Sequence, residues 1–306
     1  MVNITFWGVR GSTPCPCDAN RRYGGNTSCV SLEAPGLDPI LFDIGTGLRF
    51  YGEVVPNRLE PGAAFRGLAL VTHLHWDHVQ GLPFFGPIHH TGASLEIWGR
   101  GEGSETIAEA FAEFMRPPFF PIRPADLAGE LRFDDVIDAE RAWGRAAITV
   151  RDVPHTGATN GYRVEVDGVV VAYVSDHQQP ADGEPIAESV LELCRDADLV
   201  IHDAQYEPHE FAVKADWGHC TVEYAVRVAA EAGARRLALY HHDPSHADDV
   251  VDRLVDEARR LAIGTSVEEV IGAAEGLTVV LDPAAPADLG AAAAEAAGRP
   301  VATAGH

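Results

Sequence analysis

The sequence predicts an α/β protein in which two β-sheets lie face to face, helices cover both outer sides, and a functional site sits at the seam. Short apolar runs come in two groups with helical stretches between them, the pattern of a layered sandwich. A segment dense in histidine and aspartate follows one of these runs directly, which places chemistry at a strand end.

The first group of predicted strands covers residues 4–7, 29–32, 40–44, 68–71 and 95–98. The second covers 148–153, 162–166, 169–174, 199–201 and 237–240. Each is of strand length, rich in β-branched or aromatic residues, and bounded by Gly, Pro or Asp. Helices are predicted over 104–115, 221–232 and 247–261. The second opens on Thr221 as a cap and stops at Gly233; the third follows Ser245 and carries acidic residues in its first turn. These elements make one domain over 1–282, in two halves near 1–145 and 146–282. Residues 116–124, Arg-Pro-Pro-Phe-Phe-Pro-Ile-Arg-Pro, hold too much proline for a helix or a central strand. They fit a lid, a packed connector or a homodimer contact. Residues 283–306, mostly Ala, Pro and Gly, read as a disordered tail.

Residues 72–78 read Thr-His-Leu-His-Trp-Asp-His. Three imidazoles and a carboxylate at a strand end make a poor core, because buried polar groups need partners, but a good metal site. In an extended segment His73 and His75 point the same way. A turn at Trp76 swings Asp77 and His78 toward a second position, so the spacing predicts two ions. A His-Glu-x-x-His helix and paired thiolates, the other common zinc patterns, do not occur.

Lys and Arg number 23 against 46 Asp and Glu, a formal charge of −23. Such a surface repels polyanions, and phosphate contacts dominate nucleic-acid affinity, so a long nucleic-acid partner is disfavoured. Five cysteines, Cys15, Cys17, Cys29, Cys194 and Cys220, do not suggest a disulfide framework. Cys15, Cys17 and Cys29 lack an evident fourth zinc ligand and read as reduced thiols. There is no leader pattern and no apolar stretch of membrane-spanning length, which predicts a cytoplasmic protein without a membrane partner.

The motif His73-x-His75-x-Asp77-His78 after a short strand resembles the metallo-β-lactamase fold, a four-layer αββα sandwich, and more narrowly its phosphodiesterase branch. That branch holds tRNA 3′-processing nucleases and cyclic-phosphate phosphodiesterases. The similarity extends through residues 7–12, 24–29 and 42–47. It implies two divalent ions, with zinc first and manganese or iron also compatible with His and Asp ligands.

The same resemblance completes the ligand set. His155, in the third motif, joins His73 and His75. Asp176 bridges both ions, since a carboxylate has two oxygens to offer. His241, rather than its neighbour His242, closes the second site with Asp77 and His78, and Asp77 also counts as catalytic. Asp43 orients the ligand loop. His219 protonates the leaving alkoxide and Asp203 orients it; Asp203 stands where the nucleases usually have Glu, and Cys220 where Ser is common. The predicted activity is hydrolysis of a small cyclic phosphodiester, such as a 3′,5′-cyclic nucleotide. The rivals are a tRNA 3′-processing nuclease, a lactone, thioester or β-lactam hydrolase, and a metal-stabilised binding module. Nucleases of the branch carry a long arm, whereas only an ordinary strand–turn–strand separates His155 from Asp176. Lactone hydrolases do not need the Asp203 and His219 pair.

Overall fold

The structure is a computed structural model and describes residues 1–180 and 184–282. The sequence-predicted tail, 283–306, lies outside the described residues. Strands β1 (Val2–Gly8), β2 (Cys29–Glu33), β3 (Ile40–Phe42), β4 (Arg66–Leu70), β5 (Ser94–Gly99) and β6 (Glu130–Asp135) pair in chain order in one sheet. A second sheet runs in chain order through β7 (Ala139–Trp143), β8 (Ala146–Asp152), β9 (Asn160–Val166), β10 (Val169–Val174), β11 (Leu199–Asp203), β12 (Arg236–Tyr240) and β13 (Glu269–Gly272). Strand β14 (Thr278–Leu281) crosses back and pairs antiparallel with β1. The two halves therefore do not divide cleanly at 145. The second sheet begins at β7, and the last strand closes the first.

The inner faces of the sheets form one core. Phe42 stacks on Tyr173 at 4.9 Å, and Phe6 meets Tyr240 at 6.1 Å. Helices α1 (Leu48–Val54) and α3 (Ile107–Phe114) cover the outer face of the first sheet, with a single-turn helix, α2 (Trp76–Val79), in the loop after β4. Helices α4 (Glu188–Cys194), α6 (Val222–Glu231) and α7 (Asp248–Leu261) cover the second sheet, and α5 (Pro208–Lys214) lies in the loop after β11. This is the αββα sandwich that the sequence predicts.

Local chemistry explains the helices. Thr106 and Glu109 form a reciprocal capping box at the start of α3, and the Thr221 hydroxyl accepts from Tyr224 N to start α6. Helix α7 buries Val251, Leu254, Val255 and Ala258, an i, i+3, i+4, i+7 stripe. It has Asp248 and Asp249 at its positive end and Arg259 and Arg260 at its negative end.

Strand direction positions the site. β3 to β6 are mutually parallel, as are β10 to β13. β8 runs antiparallel to β9 and β9 antiparallel to β10, so β8 points the same way as β10. The loops carrying His73, His155, Asp176 and His241 thus all leave carboxyl ends of their strands, where parallel α/β sheets place ligand sites. The 116–124 segment behaves in part as a packed connector, with Phe120 edge-on to Phe84 at 5.9 Å, while Phe119 is exposed.

Candidate metal centre and active site

Donors meet at the carboxyl edge in two groups, His73, His75, His155 and Asp176 and then Asp77, His78 and His241, each with donor atoms within 4.8 Å of one another; Asp176, His219 and His241 make a third group that overlaps both. Helix α2 makes the second group possible by turning the chain sharply after His75, which sends Asp77 and His78 inward and leaves Trp76 exposed. Asp176 faces both groups with separate oxygens. Its Oδ2 stands 3.7 Å from Nε2 of His73 and of His155, and its Oδ1 stands 3.3 Å from Nε2 of His78 and of His241. Asp77 Oδ2 lies 3.2 Å from His78 Nε2 and 3.1 Å from His241 Nε2.

These spacings of 3.1–3.7 Å bracket the roughly 3.3–3.6 Å between tetrahedral ligands whose bonds are about 2.0–2.2 Å, while His73 Nε2 and His75 Nδ1 stand closer, at 2.8 Å. His78 Nε2 is buried without a hydrogen-bond partner, and such an atom needs one. The donor chemistry, imidazole with carboxylate, suits divalent zinc, manganese or iron.

The far nitrogen of four rings is held by the protein, which turns the near nitrogen toward the cluster. His78 Nδ1 donates to Asp43 Oδ2 at 2.7 Å, His241 Nδ1 to Gln205 Oε1 at 2.8 Å and His155 Nδ1 to the Gly218 carbonyl at 2.6 Å. His73 Nδ1 meets Thr72 Oγ1 at 3.0 Å. Asp43, with φ +54, also accepts from Thr72 N, Thr72 Oγ1 and the Tyr173 hydroxyl, so one buried carboxylate organises the whole motif. Gly218 must be glycine: its φ is +93, and a Cβ there would strike His155.

Electrostatics divides the imidazoles. Burial, followed by the neighbouring His78, lowers His73 well below an ordinary histidine, and burial also lowers His75 and His155. They stay neutral, as metal ligands must. Burial also opposes charge on His78, but Asp77, Asp176 and Asp43 outweigh it and raise its pKa well above normal. The carboxylates thus demand positive charge at that position. Burial would raise Asp77 and Asp176, yet the surrounding imidazoles lower both well below the usual range.

His219 lies beside the clusters, its ring stacked on His241 at 5.0 Å and 5.3 Å from His155. Its Nδ1 donates to Asp203 Oδ2 at 2.8 Å. Burial opposes its protonation, but Asp203 and then Asp176 outweigh this and raise its pKa to about 9. Asp203 is fixed in turn by the amides of His177 and Gln205. The shorter acid at 203 therefore still reaches the ring. Of the adjacent pair, His241 enters the cluster, while His242 points away and bonds the Ala273 carbonyl at 2.9 Å. Sequence reasoning did not single out Thr72, Gln205 or the Gly218 carbonyl. These groups act by hydrogen-bond geometry, and residue type gives no sign of it.

Cys15, Cys17, Cys29, Cys194 and Cys220 are free. Among the described residues no helix is long and apolar enough to cross a membrane.

Residues 39–242 match the beta-lactamase superfamily domain, and the chain belongs to that family. It is a metal-dependent hydrolase of the metallo-β-lactamase fold. Ribonuclease Z of Geobacillus kaustophilus is 34% identical over 294 residues, spanning 79% of this chain and 91% of that protein. Ribonuclease Z of Methanosarcina acetivorans is 28% identical, spanning 85% of this chain and 93% of that protein. The metallo-β-lactamase fold protein YhfI of Bacillus subtilis superposes with a TM-score of 0.65 at 20% identity, covering 91% of this chain and 98% of that one. These relatives overturn the sequence expectation that a long nucleic acid is disfavoured as a partner, since proteins named as ribonucleases align along most of the chain. Net charge failed as a guide because it averages over the surface, while a substrate meets only the local field at the site.

Proposed function

We propose that the chain is a binuclear metal-dependent phosphodiesterase that cleaves RNA, in the manner of a tRNA 3′-processing ribonuclease. The observation that carries this reading is the 2.8 Å pair of His219 and Asp203 beside two donor clusters. A phosphodiester in RNA expels a ribose alkoxide, which needs a proton, and His219, whose protonated form Asp203 favours, is placed to give one. The ribonuclease Z relatives favour RNA as the molecule that carries the bond.

In this reading His73, His75, His155 and Asp176 would hold one ion, and Asp77, His78 and His241, with Asp176, would hold the other. Divalent cations bound there supply Lewis acidity toward the phosphate and an activated water. Asp43, Gln205, Thr72 and the Gly218 carbonyl keep the imidazoles in register. Asp77 takes a 2.7 Å hydrogen bond from Ser12 N, which ties the first strand's loop to the cluster. His219 gives its Nε2 proton to the leaving 3′-oxygen, while Asp203 holds the other side of the ring.

One observation favours a second reading, a small cyclic phosphodiester as substrate. β9 and β10, which lie between His155 and Asp176, are joined only by Asp167 and Gly168 with φ +52 and +78, a tight hairpin with no inserted arm. The test is direct. Metal-loaded protein is incubated with a pre-tRNA bearing a 3′ trailer and, separately, with 3′,5′-cyclic AMP. Trimming of the trailer supports the ribonuclease; turnover of the cyclic nucleotide with intact pre-tRNA moves the assignment to the second reading.

A further inference from the structure

The chain has one lysine, Lys214; every other basic residue besides histidine is arginine. That lysine lies on the loop that carries His219, at the end of α5. Its ammonium sits 4.8 Å over the Tyr206 ring and 5.7 Å from the Trp217 ring, and Tyr206 meets His219 edge-on at 5.7 Å. Lys214 is therefore two ring contacts from the candidate proton donor. An ion pair with Asp243 at 3.3 Å holds it, with a quarter of its side chain still open to solvent.

Trp217 is 60% exposed, an unusual position for an indole. Its backbone, however, is held on both sides. Gln178 donates to the Ala215 carbonyl at 2.6 Å and accepts from Gly218 N at 2.8 Å, and the Gly218 carbonyl binds His155. A rigid loop thus presents an exposed ring and a partly free ammonium side by side, next to the group that faces the leaving oxygen. Aromatic faces stack on nucleobases, and lysine takes phosphate as a compact point charge.

We propose that Lys214 and Trp217 form a subsite for the nucleotide that leaves through its 3′-oxygen. Lys214 receives that nucleotide's own 5′-phosphate and Trp217 stacks on its base. The proposal rests on the ribonuclease reading, and it sets RNA apart from a 3′,5′-cyclic nucleotide, whose only phosphate is the one that reacts.

Because the chain has a single lysine, acetylation by an N-hydroxysuccinimide ester, read by peptide mass spectrometry, reports on Lys214, with the Met1 amine as internal reference. Adenosine 5′-monophosphate has the base, the 5′-phosphate and the free 3′-hydroxyl of the leaving nucleotide. It should slow acetylation of Lys214 in metal-loaded protein about tenfold, with little change at Met1, and Trp217→Ala should remove most of that protection. In kinetics, wild type should prefer an RNA dinucleotide bearing a 5′-phosphate over the same dinucleotide without one, chiefly through KM, and Lys214→Met should bring the ratio close to one. An unprotected Lys214 overturns the proposal. So does equal loss on both dinucleotides and on bis(p-nitrophenyl) phosphate, which would make Lys214 a strut that holds the His219 loop to Asp243. If metal-loaded protein leaves pre-tRNA intact yet adenosine 5′-monophosphate protects Lys214, the ribonuclease reading fails, the leaving-nucleotide role falls with it, and the pair is a site for a free nucleotide.

Discussion

Asp43 and His78 are 35 positions apart in the chain and joined by a 2.7 Å hydrogen bond in its buried interior. Thr72 and Tyr173 donate to the same carboxylate, so it links the end of β3, the ligand loop after β4 and the facing sheet. Replacing one carboxylate oxygen with an amide alters the charge and one acceptor but little of the shape. Asp43→Asn should therefore leave the fold standing and weaken the second ion, whose ligand His78 loses its anchor. Partners of this kind cost about 10–100-fold in metal affinity when removed. Competition with a chelator, followed by elemental analysis, should find one of two ions released early. Release of both together would place Asp43 in general stability instead.

Asp176 gives the complementary case. Its two oxygens face different clusters, so Asp176→Ala should weaken both ions together, while His75→Ala should weaken only the first. Elemental analysis of the purified variants checks the difference. Two ions retained in Asp176→Ala would contradict the bridging role.

Much of this site was legible in the sequence because its residues fall at strand ends, where an apolar run stops and a polar residue begins. His73, His155, Asp176, Asp203 and His241 all follow such runs, and the structure brings them to one edge. All four edge strands escaped the sequence reading, β13 and β14 as strands of only four residues and β6 and β7 for want of apolar signal. β6 reads Glu-Leu-Arg-Phe-Asp-Asp and β7 reads Ala-Glu-Arg-Ala-Trp, with the charge expected of exposed edges and little apolar signal. The short helices α1, α2, α4 and α5 were missed for a different reason: one or two turns are too few to establish a period. The turn expected at Trp76 is a single helical turn that starts there, to the same effect on Asp77 and His78. Of the adjacent pair at the end of β12, His241 has its ring nitrogen among the donors of the cluster and His242 bonds the Ala273 carbonyl.

Acid stability should report on a buried histidine outside the clusters. His202 donates through Nδ1 to the Asp203 carbonyl at 2.7 Å, and its Nε2 faces His177 Nδ1 at 3.0 Å. Burial lowers its pKa below the ordinary 6.5. The unfolded chain therefore takes up a proton that the folded one refuses. Its contribution to stability is complete above pH 6.5 and is lost as pH falls from 6.5 toward the folded value. One such group contributes a slope of about 1.4 kcal/mol per pH unit in that window. His202→Leu should flatten the fall of unfolding free energy as the pH drops below 6.5, measured by urea titration of metal-free protein. An unchanged slope would mean that His202 protonates freely in the folded state.

The His219 and Asp203 pair separates phosphodiester cleavage from other hydrolyses on this fold. A ribose alkoxide is strongly basic and needs a proton as it leaves, whereas a nitrophenolate departs well without one. If His219 supplies that proton, His219→Ala should lose about 10²–10⁴-fold on an RNA phosphodiester and far less on bis(p-nitrophenyl) phosphate, with both ions retained. The loss should appear in kcat and in kcat/KM alike, as expected of an interaction made only in the transition state. Asp203→Asn should show the same pattern more mildly, because the ring stays in place but is less well oriented and less readily charged. Its pH profile should also shift. Asp203 is the leading cause of the raised pKa of about 9 at His219, so the alkaline limb of activity should move to lower pH in the variant. Equal losses on both substrates, with metals intact, would mean that His219 binds the phosphate and does not donate to the leaving group.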